Sequence, residues 1–333
     1  VHPCSCTPKS GRTDCCAMTL TELKYLVALD SERHFGRAAD RSFVSQPTLS
    51  VALRKLEDEL GVTLFERHRG EARPTPIGER IIAQARVVLS EAAQIEQLAR
   101  AGQDELAGPL RLGAIYTVGP YLLPHLVPAL RRAAPTMPLI IEENFTVNLI
   151  GQLKANELDA ILIALPIDQA GLQTWPVYDE RFSVVLPSDH PWAQSESIVA
   201  DELAGEHLLL LGPGHCFRDQ VVEACPDCVD QVQGQPRPLT GSSLETIRHM
   251  VASGLGITVL PQSSIVNRPD ETTMLITRPF EAPAPERRIA IAWRKNFPRR
   301  QAIVALRQAV LESGMAGVNW LDEPAPWELG SAA

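Results

Sequence analysis

Two runs in the second half of the chain, "LDAILIAL" at 158–165 and "FSVVLP" at 182–187, are continuously apolar and bounded by turn residues. A strand with one wet face alternates, so runs without alternation imply strands buried on both faces, as in a parallel sheet covered by helices. Helix-period segments lie around them, among them "TVNLIGQLKANE" at 146–157 and "SLETIRHMVASGLG" at 243–256. Earlier, "LRLGAIYTVGPYLLPHLVPALRRAAP" at 110–135 reads as strand, turn and helix after a break at Gly108 and Pro109. The alternation predicts an α/β domain with mainly parallel sheets. The pattern renews after about Phe182, giving two subdomains joined by crossing strands. Small ligands are then expected at the carboxyl ends of strands and at the hinge.

At 333 residues the chain has room for two or three compact domains. No apolar run approaches the roughly 18–20 residues of a membrane span. The net charge of −9, from 31 basic and 40 acidic residues, would argue against nucleic acid if it were evenly spread. Residues 18–78 hold nine of each sign, so charge neither supports nor excludes a DNA partner.

The first seventeen residues hold Cys4, Cys6, Cys15 and Cys16, with no apolar signal-peptide core and no helical period. They read as a disordered extension ahead of a natural start at Met18. The C-x-C and C-C spacings do not match zinc sites, and neither metal nor cofactor is expected. Without an export signal the expected compartment is the reducing cytoplasm, where a disulfide is transient and functional.

From Met18, Leu20, Leu23, Val27 and Leu29 fall near helical spacing, and a second short helix follows in "FGRAADRSF" at 35–43. In "VSQPTLSVALRKLEDELG" at 44–61, Ser45 is a good N-cap, Pro47 suits the first turn and Gly61 closes the end. Leu49, Leu53, Leu56 and Leu60 form one apolar stripe, opposite Gln46, Thr48, Ser50, Arg54 and Lys55. This is the layout of a helix-turn-helix, whose second helix enters the major groove of double-stranded DNA. Ser45, Gln46, Pro47, Thr48, Ser50 and Arg54 are the expected contacts; an ordinary amphipathic helix fits the same pattern. Next, "VTLFERHRGEARPTPIGE" at 62–79 alternates and then turns at His68, Arg69 and Arg73, as a basic wing along phosphates would. Ile81, Ala85, Val88, Ala92, Ile95 and Ala99 make a heptad seam, which suits a dimerising helix or one packed on its own domain.

This block resembles the LysR family of bacterial transcriptional regulators through "FGRAADRSFVSQPTLSVALRKLEDELGVTLFER" at 35–67. The resemblance implies a chain of α/β class with an all-α N-terminal head. A winged helix-turn-helix spans 18–78 and a dimerising linker helix 79–107. A periplasmic-binding-protein-like regulatory domain of two α/β subdomains spans 108–314, one formed by 108–181 with 280–314 and the other by 182–279. Residues 315–333 are Pro-rich and acidic and read as a mobile tail. Their Trp320 and Trp327 could dock, but the sequence specifies no surface.

In "GPGHCFRDQVVEACPDC" at 212–228, a strand "HLLLL" leads through a turn into "CFRDQVVEA". Cys216 therefore falls at a helix N-terminus, where free N–H groups and the dipole favour an anion. His215 and Arg218 are expected to add positive character, all favouring the thiolate, while burial opposes it. A thiolate attacks a peroxide O–O bond and becomes a sulfenic acid that a second cysteine can condense with. On one continuous helix Cys216 and Cys225 would stand roughly 13 Å apart on nearly opposite faces. A disulfide needs Cα atoms within about 7 Å, so joining them requires a broken helix, and Pro226 favours an early end. An inert buried cysteine is the alternative.

The stretch resembles the peroxide-sensing OxyR branch of the same family, through "GHCFRDQ" and the placing of Cys225. "IYTVGPYLLPH", "IEENFT" and "SLETIRHMVASGLGITVLP" add to it. The resemblance implies that Cys216 is peroxidatic and Cys225 resolving. Thr117, Thr146 and His215 would line a hydrogen peroxide pocket, supported by Arg218, Asp219 and Gln220. It further implies promoter DNA and RNA polymerase as partners, a homodimer assembling to a homotetramer, and control of antioxidant genes. Thr117 and Thr146 could instead cap helices. Cys228 reads as a bystander or backup resolver, and Arg287 and Arg288 as pocket residues or a sheet-edge charge pair. A regulator answering an organic effector and a thiol peroxidase remain alternatives, the latter disfavoured by the DNA-reading unit.

Overall fold

The computed structural model describes residues 18–68, 71–101, 104–225, 240–266 and 274–329. The expectations for the first seventeen residues, Arg69 and Cys228 lie outside them. The chain divides into two compact units, Val1–Ile95 and Glu96–Ala333.

The first unit holds helices α1 (Leu20–Glu32), α2 (Phe35–Arg41) and α3 (Gln46–Leu60), the hairpin β1 (Phe65–His68) and β2 (Glu71–Pro74), and the start of α4 (Pro76–Ala101). A capping box starts α1: the Thr19 hydroxyl accepts from Glu22 N–H while the Glu22 carboxylate accepts from Thr19 N–H at 2.7 Å. Ser45 Oγ accepts from Thr48 N–H to start α3, and Gly61, at φ +68°, ends it. Leu49, Leu53 and Leu56 pack with Leu23, Leu26, Leu29, Ala38 and Ala39 in one core. Leu60, the last member of the expected stripe, is exposed. Along α4, Ile82 and Ala85 are buried in the same core with Ile81 and Val88 against it, whereas Ile95 is exposed. The first half of the heptad seam therefore packs on its own domain.

The second unit begins β3 (Leu110–Ile115), α5 (Gly119–Ala133), β4 (Leu139–Asn144), α6 (Thr146–Lys154), β5 (Ala160–Ala164), with β3 parallel to both β4 and β5. A second layer of the same kind has β7 (Leu208–Leu211), β8 (Thr240–Gly241) and β9 (Ile257–Pro261), with β7 parallel to its two neighbours, together with α7 (Cys216–Ala224) and α8 (Leu244–Ala252). Joining them is β6 (Leu172–Pro187), whose first part pairs with β11 (Glu286–Arg294) and whose second pairs with β9 and β10 (Leu275–Pro279). The strand order is β4-β3-β5-β11-β6-β9-β7-β8.

One expectation is overturned here. "FSVVLP" was read as a buried parallel strand, yet it is the end of β6 and runs antiparallel to both β9 and β10. It is apolar because it is central and covered on both faces, and burial carries no information on strand direction.

The segment read as a mobile tail is also paired and packed up to Leu329. Asn319 and Trp320, strand β12, pair with Asp179 and Tyr178 on β6. Trp320 stands edge-on to Tyr178 at 5.6 Å, and Trp327 to Trp175 at 5.3 Å. From α9 (Arg300–Leu311), Arg307 donates to the carbonyls of Leu321 and Glu323. Polar composition describes the segment's average, whereas two indoles fix its place.

Candidate functional site

The strand β7 ends at Leu211, and the chain turns through Gly214, whose φ of +95° is a region open to glycine. A Cβ there would stand 3.3 Å from the Phe145 ring. Cys216 is the first residue of α7, half-buried and a free thiol. The N-cap His215 makes no side-chain capping bond, so the positive end of the helix is directed at Cys216 without a side-chain acceptor intervening. Arg218 fixes the helix to the strand end by donating to Leu211 O at 2.8 Å.

Cys216, Thr117, Thr146, His215, Tyr116 and Phe145 help line a cavity of about 10 Å³. Thr117 is buried and its Oγ1 accepts from Arg287 Nη1 at 2.8 Å, while Arg287 Nη2 donates to its carbonyl at 2.9 Å. A guanidinium only donates, so the Thr117 hydroxyl hydrogen remains available to a guest. Thr146 Oγ1 is buried with no hydrogen-bond partner, an uncommon state for a polar atom. Neither threonine caps a helix: the N-caps of α5 and α6 are Val118 and Phe145, both without side-chain capping bonds.

His215 is 8% exposed, and burial pushes its pKa below the ordinary histidine value. Burial thus works against the positive charge expected of this ring beside Cys216. Arg218, Asp219 and Gln220 do not line the cavity. Asp219 is exposed, and Gln220 is half-buried with its Oε1 unpartnered.

Sequence reasoning left Arg287 undecided and did not name Glu180. Both side chains are fully buried. Arg287 Nε donates to Glu180 Oε2 at 2.8 Å, and Glu180 Oε1 accepts from Ser263 N–H at 2.7 Å. The guanidinium also lies 5.1 Å from the Phe217 ring centroid, on the residue after Cys216. Arg288 points the other way and pairs with Asp179 at 2.7 Å in solvent. Strand parity is the signal that separates them, since Arg287 shares a face with Ile289 and Ile291.

Cys225 is buried at the end of α7. It is disulfide-bonded, and not to Cys216.

On α3, Gln46, Pro47, Thr48 and Arg54 are exposed, and Arg54 makes no ion pair among the described residues. Ser45 is exposed but occupied as the cap, with its hydroxyl 2.8 Å from that of Thr48, and Ser50 is half-buried. Lys55 is held by Glu22 and Glu59, and Arg73 is paired with Glu71 at 3.0 Å.

Larger concavities of about 440 and 550 Å³ are lined by no cysteine. Among the described residues no group of histidine, cysteine and acidic side chains is arranged for a metal ion, and no helix is long and apolar enough to cross a membrane.

Comparison with known proteins places this geometry. Residues 20–79 match the family described as bacterial regulatory helix-turn-helix protein, lysR family, and 103–314 match the LysR substrate binding domain. A hydrogen peroxide-inducible genes activator of Pectobacterium carotovorum is 41% identical over 295 residues, covering 89% of this chain and 96% of that one. The DNA-binding transcriptional dual regulator OxyR of Escherichia coli K12 is 40% identical, with 88% and 95% covered. Among solved structures, a full-length variant of Pseudomonas aeruginosa OxyR is 55% identical with a TM-score of 0.70, covering 88% of this chain and 98% of that one. A hydrogen peroxide-bound mutant of Corynebacterium glutamicum OxyR is 33% identical with a TM-score of 0.59, covering 89% and 92%. With both its helix-turn-helix and its regulatory domain matched, the chain belongs to the LysR family of transcriptional regulators, in the OxyR branch.

Proposed function

We propose that the chain is a hydrogen-peroxide-sensing, DNA-binding transcription factor switched by reversible oxidation of Cys216. The observation that carries this reading is a free thiol at a helix N-terminus on a cavity of about 10 Å³, shared with an unpartnered threonine hydroxyl. Such a space is at the limit for one water-sized guest, whereas organic effectors occupy roughly 300–1,000 Å³. Hydrogen peroxide both donates and accepts, matching Thr117 as donor and Thr146 as either.

The Cys216 thiolate attacks one peroxide oxygen. An S–O bond forms, the O–O bond breaks, and the leaving hydroxide takes a proton to become water. The sulfenic acid is then attacked by the Cys225 thiol, releasing a second water and forming the disulfide. Along an intact α7 the two cysteines stand roughly 13 Å apart, beyond the reach of about 7 Å for a disulfide. Bond formation therefore requires α7 to unwind. That rearrangement is the signal, carried in a cytoplasmic homotetramer to DNA-reading heads that contact promoter DNA through Gln46, Pro47, Thr48 and Arg54. The oxidised form recruits RNA polymerase to antioxidant genes.

The test is mass spectrometry of protein first fully reduced, since Cys225 must be a thiol to act, and then given one equivalent of hydrogen peroxide. A Cys216–Cys225 linkage is expected. Cys216 left unmodified would sink the reading, and linkage to Cys228 would replace the resolving residue.

A further inference from the structure

Three aromatic rings close over the cavity. Phe145 stands edge-on to His215 at 4.8 Å and to Tyr116 at 5.4 Å, and Tyr116 and His215 are 5.9 Å apart. Tyr116 is 37% exposed and so forms the outer face of the group. The turn before Cys216 comes up against the same ring, which would stand 3.3 Å from a Cβ at 214. Phe145 also occupies the N-cap of α6 and makes no side-chain cap. Asn, Asp or Ser is the residue that would stabilise the helix from that place. A phenylalanine at that place is therefore explained by its ring and not by the helix it begins.

We infer that Phe145, braced by Tyr116 and His215, is a size gate that admits hydrogen peroxide to Cys216 and excludes alkyl hydroperoxides. This rests on the proposed peroxide chemistry and names its specificity-determining residue. With an alkyl hydroperoxide the same electrons move: sulfur takes the terminal oxygen, the O–O bond breaks, and the alkoxide leaves and is protonated to an alcohol. Only the volume differs, and a branched alkyl group has no place in about 10 Å³ bounded by packed rings. Truncating Phe145 removes a wall and leaves Thr117 and Thr146 in place.

The experiment measures the rate of Cys216 oxidation in fully reduced, full-length protein with hydrogen peroxide and with tert-butyl and cumene hydroperoxide. Wild type is compared with Phe145→Ala and the milder Phe145→Leu. The wild-type rate is expected to fall stepwise with oxidant size, and the ratio of hydrogen peroxide to tert-butyl hydroperoxide rates to drop at least tenfold in Phe145→Ala. A folded variant with an unchanged ratio overturns the gate. Should Phe145→Ala not fold, a wild-type rate indifferent to oxidant size, or an unchanged ratio in Phe145→Leu, does the same. A wild-type Cys216 inert to hydrogen peroxide instead overturns the sensor reading itself, so the two failures are distinguishable.

Discussion

Arg287 and Arg288 are neighbours in sequence with opposite environments, and their energetics separate accordingly. Arg288 and Asp179 pair in solvent, where such a contact contributes about 0–1 kcal/mol. Arg287 and Glu180 are fully buried, Arg287 also donating to Thr117 and Glu180 also accepting from Ser263 N–H, so removing one partner leaves a charge in the interior. Glu180→Leu alone should lower the stability of the protein by about 3–5 kcal/mol in urea unfolding, while Glu180→Leu with Arg287→Met should cost less than the single change. Asp179→Asn should stay within about 1 kcal/mol. A double variant as unstable as the sum of its parts would show that the pair is not coupled. This network marks where sequence reading of the site stopped. Cys216 and His215 stand out locally at a strand-turn-helix, whereas Thr117 and Thr146, supplied only by the family resemblance, line the same cavity from other elements. The partner of Thr117 lies 170 residues away on β11, and no local spacing encodes such a meeting. Nor does residue type alone tell that Asp219 faces water or that the histidine beside the thiol is buried.

At the scale of elements, the C-terminal segment is a strap along the strand that joins the two layers. Gly317 closes against Gln262, with a Cβ there 3.0 Å from the glutamine, and Leu321 N–H donates to Val177 O at 3.0 Å. Trp327 then meets Trp175, with the Trp175 indole N–H donating to Glu323 O. Trp327→Ala should therefore destabilise the protein by about 1–3 kcal/mol, read as a lower thermal midpoint, and truncation after Gly314 should cost more. An unchanged midpoint on truncation would mean that the strap adds nothing to the fold. The helix-turn-helix was legible because its caps and its leucine stripe are local. The α/β class was legible because strand burial is written in the apolar runs. Strand direction at β6 and the docking of the tail were not, since both depend on partners that arrive from elsewhere in the chain.

At the scale of the whole molecule, the reading unit and the sensing unit are separate compact bodies joined through α4, with Ile95 and Glu96 marking the division. Residues 18–78 carry nine charges of each sign, so the net charge of −9 resides outside that segment. On the proposed contacts, affinity for DNA comes from a few oriented groups on α3 and the wing, and should fall steeply with salt in proportion to the phosphates they neutralise. Oxidation does not touch those groups. On the proposed mechanism it changes the backbone after Cys216 in a homotetramer, so its effect on DNA should appear as a different spacing of the heads in that proposed assembly, with local affinity for each half-site little altered. The expected result is that reduced and peroxide-treated protein give footprints on a target promoter that differ in extent. Their salt slopes should be similar, and Cys216→Ser should hold the reduced footprint at any dose of peroxide. Identical footprints before and after oxidation, or a salt slope that collapses on oxidation, would place the switch in the reading heads and not in their arrangement.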